Sequence, residues 1–174
     1  ADKPLVLLSG NDIEHLQVAF GALYAGIPYC PVSPAYSLLS QDFSKLRHVC
    51  DLLQPGLVFV SDAAAYQRAI DAVLPADTPL ISARGQVAGS RQVSFASLLE
   101  QPGGAEADAA FAATGPDSIA KFLFTSGSTR LPKAVITTQR MLCANQQMLL
   151  QTFPVFGEEP PVLVDWLPWN HTFG

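Results

Sequence analysis

The chain has 174 residues, of which 49% are hydrophobic and 14% are charged, and its formal net charge is −5. A chain of this length and composition is able to bury a sizeable core within one domain. The acidic total argues against a nucleic-acid partner, and no run of about 18 uncharged apolar residues predicts a membrane-spanning helix. We therefore expect a globular domain that binds neither nucleic acid nor membrane.

The first half of the chain alternates short apolar runs with helical patterns. Strands are predicted at 5–8, 29–32, 57–60 and 79–81. Helices are predicted from a cap at Asn11 or Asp12 to Ala25, from near Ser40 to Pro55, and from Asp62 to Leu74. This alternation predicts an α/β fold with a layered, mainly parallel sheet and helices on both faces. Ligands of such sheets usually lie outside the carboxyl ends of the strands.

Each predicted helix carries an apolar stripe that is expected to face the core. On the first helix the stripe consists of Ile13, Leu16, Phe20, Leu23 and Tyr24. On the second it consists of Phe43, Leu46, Val49, Cys50 and Leu53. On the third it consists of Tyr66, Ala69, Ile70 and Val73.

The second half is less regular. After Ser82 we expect one short helix at 94–100, and we interpret 101–117 as an ordered connector rich in alanine, glycine and proline. Strands are predicted at 119–124, 134–137 and 162–164. A helix is predicted from Thr138 to Gln151, with apolar positions at Met141, Leu142, Cys143, Met148 and Leu149.

The three cysteines, Cys30, Cys50 and Cys143, form neither a CxxC pair nor a cluster with histidine. We predict free, buried thiols, no protein metal site and a reducing, cytoplasmic environment. The chain starts at Ala1 without an initiator methionine or a signal-peptide pattern, so we expect it to be a piece of a longer protein.

The stretch from Thr125 to Lys133 carries the clearest chemistry. It places four hydroxyls, a glycine and a lysine between two predicted strands, and residues 118–157 contain four basic side chains and no acidic one. Glycine lets a backbone approach an anion closely, while amides, hydroxyls and lysine donate hydrogen bonds and positive charge. The loop therefore predicts local binding of a small phosphorylated ligand, although the Walker spacing is absent.

Two stretches together carry a resemblance to a known family. Residues 124–135 read FTSGSTRLPKAV and resemble the signature T-S-G-[ST]-T-G-x-P-K-[GA]-V of the adenylate-forming superfamily. Residues 167–174 read LPWNHTFG and resemble its proline-to-histidine segment beside the acyl-substrate pocket. Residues 9–32 are similar to the family's early strand–helix–strand unit. The runs 141–146 and 169–174 resemble feruloyl-CoA synthetases, a subgroup that activates hydroxycinnamic acids.

The resemblance implies a two-step reaction. A carboxylate attacks the α-phosphorus of Mg-ATP to give an acyl-adenylate and pyrophosphate, and the thiol of coenzyme A then displaces AMP. The implied cofactors are ATP, Mg²⁺ and coenzyme A, and the implied partner is an aromatic carboxylic acid. His171 would act catalytically near the acid's carboxylate, and Trp169 would help to wall the aryl pocket. The β- and γ-phosphates would be held by Thr125, Ser126, Gly127, Ser128, Thr129 and Lys133.

The resemblance also implies that residues 1–174 are part of the large N-terminal, AMP-binding domain. The adenine-contacting segment, the ribose-binding aspartate, the hinge and the C-terminal lysine are expected beyond Gly174. The rest of this domain and the small C-terminal domain would then be missing. We expect the 174 residues alone to be inactive and to self-associate through apolar surface that the missing part normally covers.

Two alternatives come from other classes of protein. A serine hydrolase requires G-x-S-x-G, and neither Ser126 nor Ser128 stands in that frame. A truncated or degenerate module that folds and associates without turnover stays open. We interpret His15 and His48, which lie in predicted helices, as structural, and His171 could likewise satisfy a backbone carbonyl.

Two positions depart from the signature, of which Ala134, in place of the commoner glycine, is a small change. Arg130 stands where the signature has glycine. If that glycine uses a positive φ, arginine costs about 1–2 kcal/mol in backbone strain, and its bulk would intrude on the phosphate path. A guanidinium can also grip phosphate bidentately.

We hypothesise that Arg130 impairs or alters ATP binding. The substitution Arg130→Gly is expected to tighten ATP binding, because it relieves the strain and the bulk. ATP titration of the full-length protein measures this, and a variant that binds ATP no more tightly than the arginine form contradicts the hypothesis.

Overall fold

The computed structural model describes residues 3–125 and 131–171. The strands are β1 Leu5–Leu8, β2 Tyr29–Pro31, β3 Leu57–Val60, β4 Leu80–Ser82, β5 Gln92–Ser94, β6 Ile119–Phe124 and β7 Ala134–Thr138. The helices are α1 Ile13–Tyr24, α2 Ala35–Leu38, α3 Ser44–Leu53, α4 Ala63–Val73, α5 Phe95–Leu99, α6 Ala105–Ala112 and α7 Gln139–Thr152. A single 3₁₀ turn follows α7 at Pro154–Gly157.

Seven strands in the described residues form one sheet in the order β5-β4-β3-β1-β2-β6-β7. Every neighbouring pair is parallel except β6 and β7, which form an antiparallel hairpin. The mainly parallel α/β fold predicted from the sequence is therefore confirmed. Because parallel strands share one direction, the carboxyl ends of β1 to β6 meet at one edge of the sheet.

The sheet is buried on both faces by two separate layers of helices. Successive residues of a strand point to opposite faces, so Val6 and Leu8 of β1 pack with α3 and α4. Leu5 and Leu7 pack on the other face with Ala19 and Ala22 of α1. This double burial explains why β1 and β3 are continuous apolar runs.

The helices α3 and α4 follow the sequence prediction closely. Leu46 and Val49 of α3 are completely buried, and Tyr66 of α4 is 3% exposed. Asp62 caps α4 by accepting a hydrogen bond from the amide of Ala65 at 3.1 Å. Ser40 accepts a hydrogen bond from the amide of Phe43, just before α3 begins.

The predicted inward stripe of α1 is wrong. Ile13 is 74% exposed and Phe20 is 62% exposed, whereas the buried residues are His15, Ala19 and Ala22. The small alanine face lets the helix approach the sheet closely, while the large apolar side chains face outward. Phe20, Leu23 and Tyr24 line an open groove of about 1070 Å³ with residues of α6 and α7. The apolar stripe of α1 was expected to pack on the core, but part of it lines this groove instead.

Three short elements were not predicted. The helix α2 lies in the expected turn after β2, β5 lies in the irregular stretch after Ser82, and α6 lies in the expected connector. The stacking of Tyr24 on Phe111, with ring centroids 4.7 Å apart, packs α6 against α1. Such tertiary contacts stabilise helices that are too short to be stable alone.

The side chains after β7 are less buried than the sequence predicts. The helix α7 is present and is capped by Thr138, but none of its side chains in the described residues is buried. Cys143 is therefore exposed, contrary to the prediction of a buried thiol, whereas Cys30 and Cys50 are buried. The predicted strand at 162–164 is absent from the described residues, and Val162 and Val164 are 96% and 95% exposed. A strand requires a neighbour for its backbone hydrogen bonds, and the described sheet ends at β7.

No helix in the described residues has both the length and the apolarity that a membrane crossing requires. The exposed apolar residues of α1 and α7 are the surface through which self-association is expected. Self-association itself stays a prediction.

Core packing of α3 provides a test of this architecture. The substitution Leu46→Ala is expected to lower the free energy of unfolding by about 2–5 kcal/mol, because it leaves a cavity in the core. Leu52, which is 56% exposed on the same helix, provides the matched control, and Leu52→Ala should change stability by less than about 1 kcal/mol. Urea denaturation of both variants measures this, and equal losses would contradict the burial assigned to Leu46.

Candidate active site

The hydroxyl-rich loop is held at both ends by the β6–β7 hairpin. The backbone amide of Thr125 donates to the carbonyl of Lys133 at 3.0 Å. The side chains of both residues are exposed, as contact with a ligand phosphate requires. Ser126, Gly127, Ser128, Thr129 and Arg130 lie outside the described residues.

The exit of the loop is anchored to α3. The Nε2 atom of His48 lies 3.0 Å from the carbonyl oxygen of Pro132, and Pro132 is fully buried. A carbonyl only accepts hydrogen bonds, so the ring donates its Nε2 proton. His48 therefore has the structural role inferred from the sequence, because it links α3 to Pro132, the residue before Lys133.

A cavity of about 290 Å³ lies where β2 and β6 end. It brings the start of the loop together with the proline-to-histidine segment, because Phe124 precedes Thr125 and His171 lies opposite. The lining residues are Pro31, Val32, Ser33, Tyr36, Lys45, Phe124, Pro168, Asn170 and His171. The position agrees with the expectation that ligands bind outside the carboxyl ends of parallel strands.

Sequence reasoning missed four polar residues of this cavity. Lys45 is half-buried, and its Nζ atom lies 5.3 Å from the centroid of the Tyr36 ring, within the range of a cation–π contact. Burial raises the pKa of the Tyr36 hydroxyl. Ser33 directly follows the predicted strand 29–32, so its place at a strand end was a usable signal. Asn170 lies in the run 167–174, whose resemblance to the acyl-substrate segment was a usable signal, whereas Lys45 carries no comparable signal in the sequence.

The segment 165–171 is ordered by its own hydrogen bonds. The amide of His171 donates to the carbonyl of Pro168 at 2.9 Å and closes a turn. The indole nitrogen of Trp169 donates to Asp165 at 3.2 Å. The Trp169 ring meets the His15 ring edge-on, with centroids 5.4 Å apart. Trp169 therefore lies beside His15, next to the cavity-lining residues rather than among them.

His15 joins the end of β1 to this segment. Its Nδ1 atom lies 2.6 Å from the hydroxyl oxygen of Ser9, and both residues are almost completely buried. Burial lowers the pKa of His15 below the ordinary value of 6.5, although the charge of Asp12 and a hydrogen bond to Gly10 oppose this effect. His15 is thus a structural histidine, in agreement with the sequence interpretation.

The remaining polar groups do not suggest a protein metal site. Among residues 3–125 and 131–171, no three histidine, cysteine, aspartate or glutamate side chains are grouped so that they could hold a metal ion.

A mainly parallel α/β sheet with a hydroxyl- and lysine-bearing loop at its strand ends is typical of nucleotide-binding proteins. The chain matches the AMP-binding enzyme family over residues 1–174, and it belongs to that family.

Several relatives match nearly the whole chain, and two of them show the range of lengths. Indigoidine synthase from Streptomyces lavendulae is 29% identical over 98% of this chain and 12% of its own length. A 3-[(3aS,4S,7aS)-7a-methyl-1,5-dioxo-octahydro-1H-inden-4-yl]propanoyl:CoA ligase from Rhodococcus jostii is 26% identical over 95% of this chain and 33% of its own length. The chain therefore spans a third or less of these relatives.

Solved structures show the same fold. One structure of the fatty acyl-adenylate ligases from E. coli and L. pneumophila matches with a TM-score of 0.65 at 25% identity. The match covers 97% of this chain and 27% of that chain. ATP-bound MatB from Rhodopseudomonas palustris matches with a TM-score of 0.65 at 20% identity, over 100% of this chain and 32% of that chain. The likeness to MatB shows the fold alone.

The buried His15 predicts a pH-dependent stability. Its lowered pKa means that the unfolded chain binds the proton more readily than the folded chain does. His15 therefore lowers the stability of the fold as the pH falls below 6.5, the ordinary pKa of histidine. The wild type is expected to lose more stability between about pH 7.5 and about pH 5 than His15→Gln does. Urea unfolding at the two pH values measures the difference, and identical losses would contradict the burial effect.

Proposed function

We propose that this chain is part of an acid–CoA ligase that uses ATP to form an acyl-adenylate and then transfers the acyl group to coenzyme A. One observation carries the proposal: a single cavity at the strand ends joins Phe124, at the start of the loop, to His171. A reaction between ATP and an acid requires the two ligands to be held side by side. Residues 1–174 would form part of the N-terminal, AMP-binding domain.

The loop would bind the β- and γ-phosphates. Support comes from the exposed side chains at its two ends, Thr125 and Lys133, which the hairpin holds together. Phosphoryl chemistry depends mainly on positioning and on neutralising charge, and Mg²⁺ bound with ATP would add to that neutralisation. The phosphate-binding set consists of Thr125, Ser126, Gly127, Ser128, Thr129 and Lys133.

The acid would occupy the cavity with its carboxylate near His171. Support comes from the lining, which includes Lys45 and His171, since both side chains can offer N–H donors to an anionic oxygen. His171 would then act on the reacting carboxylate as the catalytic residue and also bind the acid. Trp169 would contribute to the wall of the aryl pocket from its position beside His15.

The acid would be aromatic, of the hydroxycinnamic class, with ferulic acid as the first candidate. The support is the resemblance of residues 141–146 and 169–174 to feruloyl-CoA synthetases. Such an acid is planar and apolar with a single carboxylate, and the cavity offers Tyr36, Phe124 and Pro168 as apolar surface.

ATP–pyrophosphate exchange by the full-length protein tests the proposal. We expect exchange that depends on an added acid and that is fastest with hydroxycinnamic acids across a panel of aromatic and aliphatic acids. The 174-residue chain alone is expected to give no exchange. Failure of every acid with the full-length protein would overturn the ligase proposal, and a clear preference for aliphatic acids would overturn the substrate class alone.

The matched substitutions Lys133→Met and Lys3→Met test the phosphate role within the same assay. Removing the ammonium at position 133 is expected to lower kcat/KM for ATP by about a hundredfold or more. Lys3 is exposed at the opposite end of the strands, before β1, and its substitution is expected to leave the assay unchanged.

A further inference from the structure

Asn11 lies at the carboxyl end of β1, directly before Asp12, which caps α1. The chain connections diverge at this position, because α1 leads from β1 toward β2 while α4 leads from the neighbouring β3 in the opposite direction. Ligands of open α/β sheets bind beside such a switch point. A segment that contacts the ligand is therefore expected to lie near the carboxyl end of β1.

The Asn11 side chain makes a reciprocal pair of hydrogen bonds with the backbone of the distant segment. Its Nδ2 atom donates to the carbonyl of Leu167 at 2.7 Å. Its Oδ1 atom accepts from the amide of Trp169 at 3.0 Å. A side-chain amide offers a donor and an acceptor side by side, so this one group fixes both peptide units that flank Pro168.

The two hydrogen bonds fix the backbone on both sides of Pro168, which itself lines the cavity. They hold the backbone of Trp169 at the end of β1, where its ring packs against the edge of His15. The turn from Pro168 to His171 then places both of these residues in the cavity wall.

We propose that Asn11 is a positioning residue that holds segment 167–171 with His171 facing the cavity, and that it acts on binding of the acid rather than of ATP. The inference rests on the proposed function, because the acid is the ligand that His171 would meet. The phosphate loop is anchored separately, through the β6–β7 hairpin and His48.

Tryptophan fluorescence tests the hydrogen-bonded pair without any ligand. The 174-residue chain has two tryptophans, Trp166 and Trp169, so in this chain Trp166→Phe leaves Trp169 as the single indole reporter. In that background, Asn11→Leu is expected to shift Trp169 emission to the red and to increase its quenching by acrylamide. The matched control is Gln17→Leu, which removes an exposed amide from α1 and should leave the emission unchanged.

Equal spectra for Asn11→Leu and Gln17→Leu would overturn the proposal. The variant Asn11→Asp retains the acceptor for the Trp169 amide but loses the donor to Leu167, so its quenching should be intermediate. If circular dichroism shows that Asn11→Leu is unfolded, the Asn11→Asp variant provides the test instead. An unchanged fluorescence spectrum in Asn11→Asp overturns the proposal.

Kinetics of the full-length protein test the consequence for binding. Asn11→Leu is expected to raise KM for the acid by about tenfold, in keeping with two lost hydrogen bonds, while KM for ATP stays unchanged. An equal rise in both KM values would indicate a general structural defect and would overturn the positioning role, as would an unchanged KM for the acid. If none of the tested acids supports ATP–pyrophosphate exchange by the unsubstituted full-length protein, the proposed function fails. The fluorescence result then still decides whether Asn11 holds the segment.

Discussion

Parallel pairing of β1, β2, β3 and β6 places the carboxyl ends of these strands at one edge of the sheet. Residues far apart in sequence therefore lie at the same edge: Asn11 after β1, Ser33 after β2 and Thr125 after β6. Both sheet faces are covered by helices, so a shift by one residue would turn each strand side chain toward the opposite helix layer and disrupt both cores. The geometry of the candidate site is in this sense a consequence of the core.

Two anchors hold the chemically important loops to that edge. His48 binds the carbonyl of Pro132 from α3, and Asn11 binds the backbone on both sides of Pro168. His48 extends from α3 and Asn11 from the short connection between β1 and α1, and each fixes irregular backbone, which is how loops acquire a defined geometry. The phosphate side and the acid side of the proposed reaction are thereby positioned by different parts of the fold.

The helices α1 and α7 show how apolar periodicity can mislead. On α1 the conspicuous stripe is exposed and an alanine face packs on the sheet, and on α7 the apolar positions, including Cys143, are exposed. Periodicity reports that a face avoids water, but it does not report which surface covers it.

The sequence by itself determined the alternation of strands and helices, the caps at Asp62 and Thr138, and the hydroxyl- and lysine-bearing loop between β6 and β7. These features depend on local spacing and on residue chemistry, which a linear pattern records. Only the tertiary structure decided that Lys45 and Tyr36 face the same cavity as His171, that Trp169 packs on His15, and that Asn11 holds the segment between them. Those contacts join residues more than 100 positions apart, and no local pattern specifies them, because they arise only when the parallel strands align.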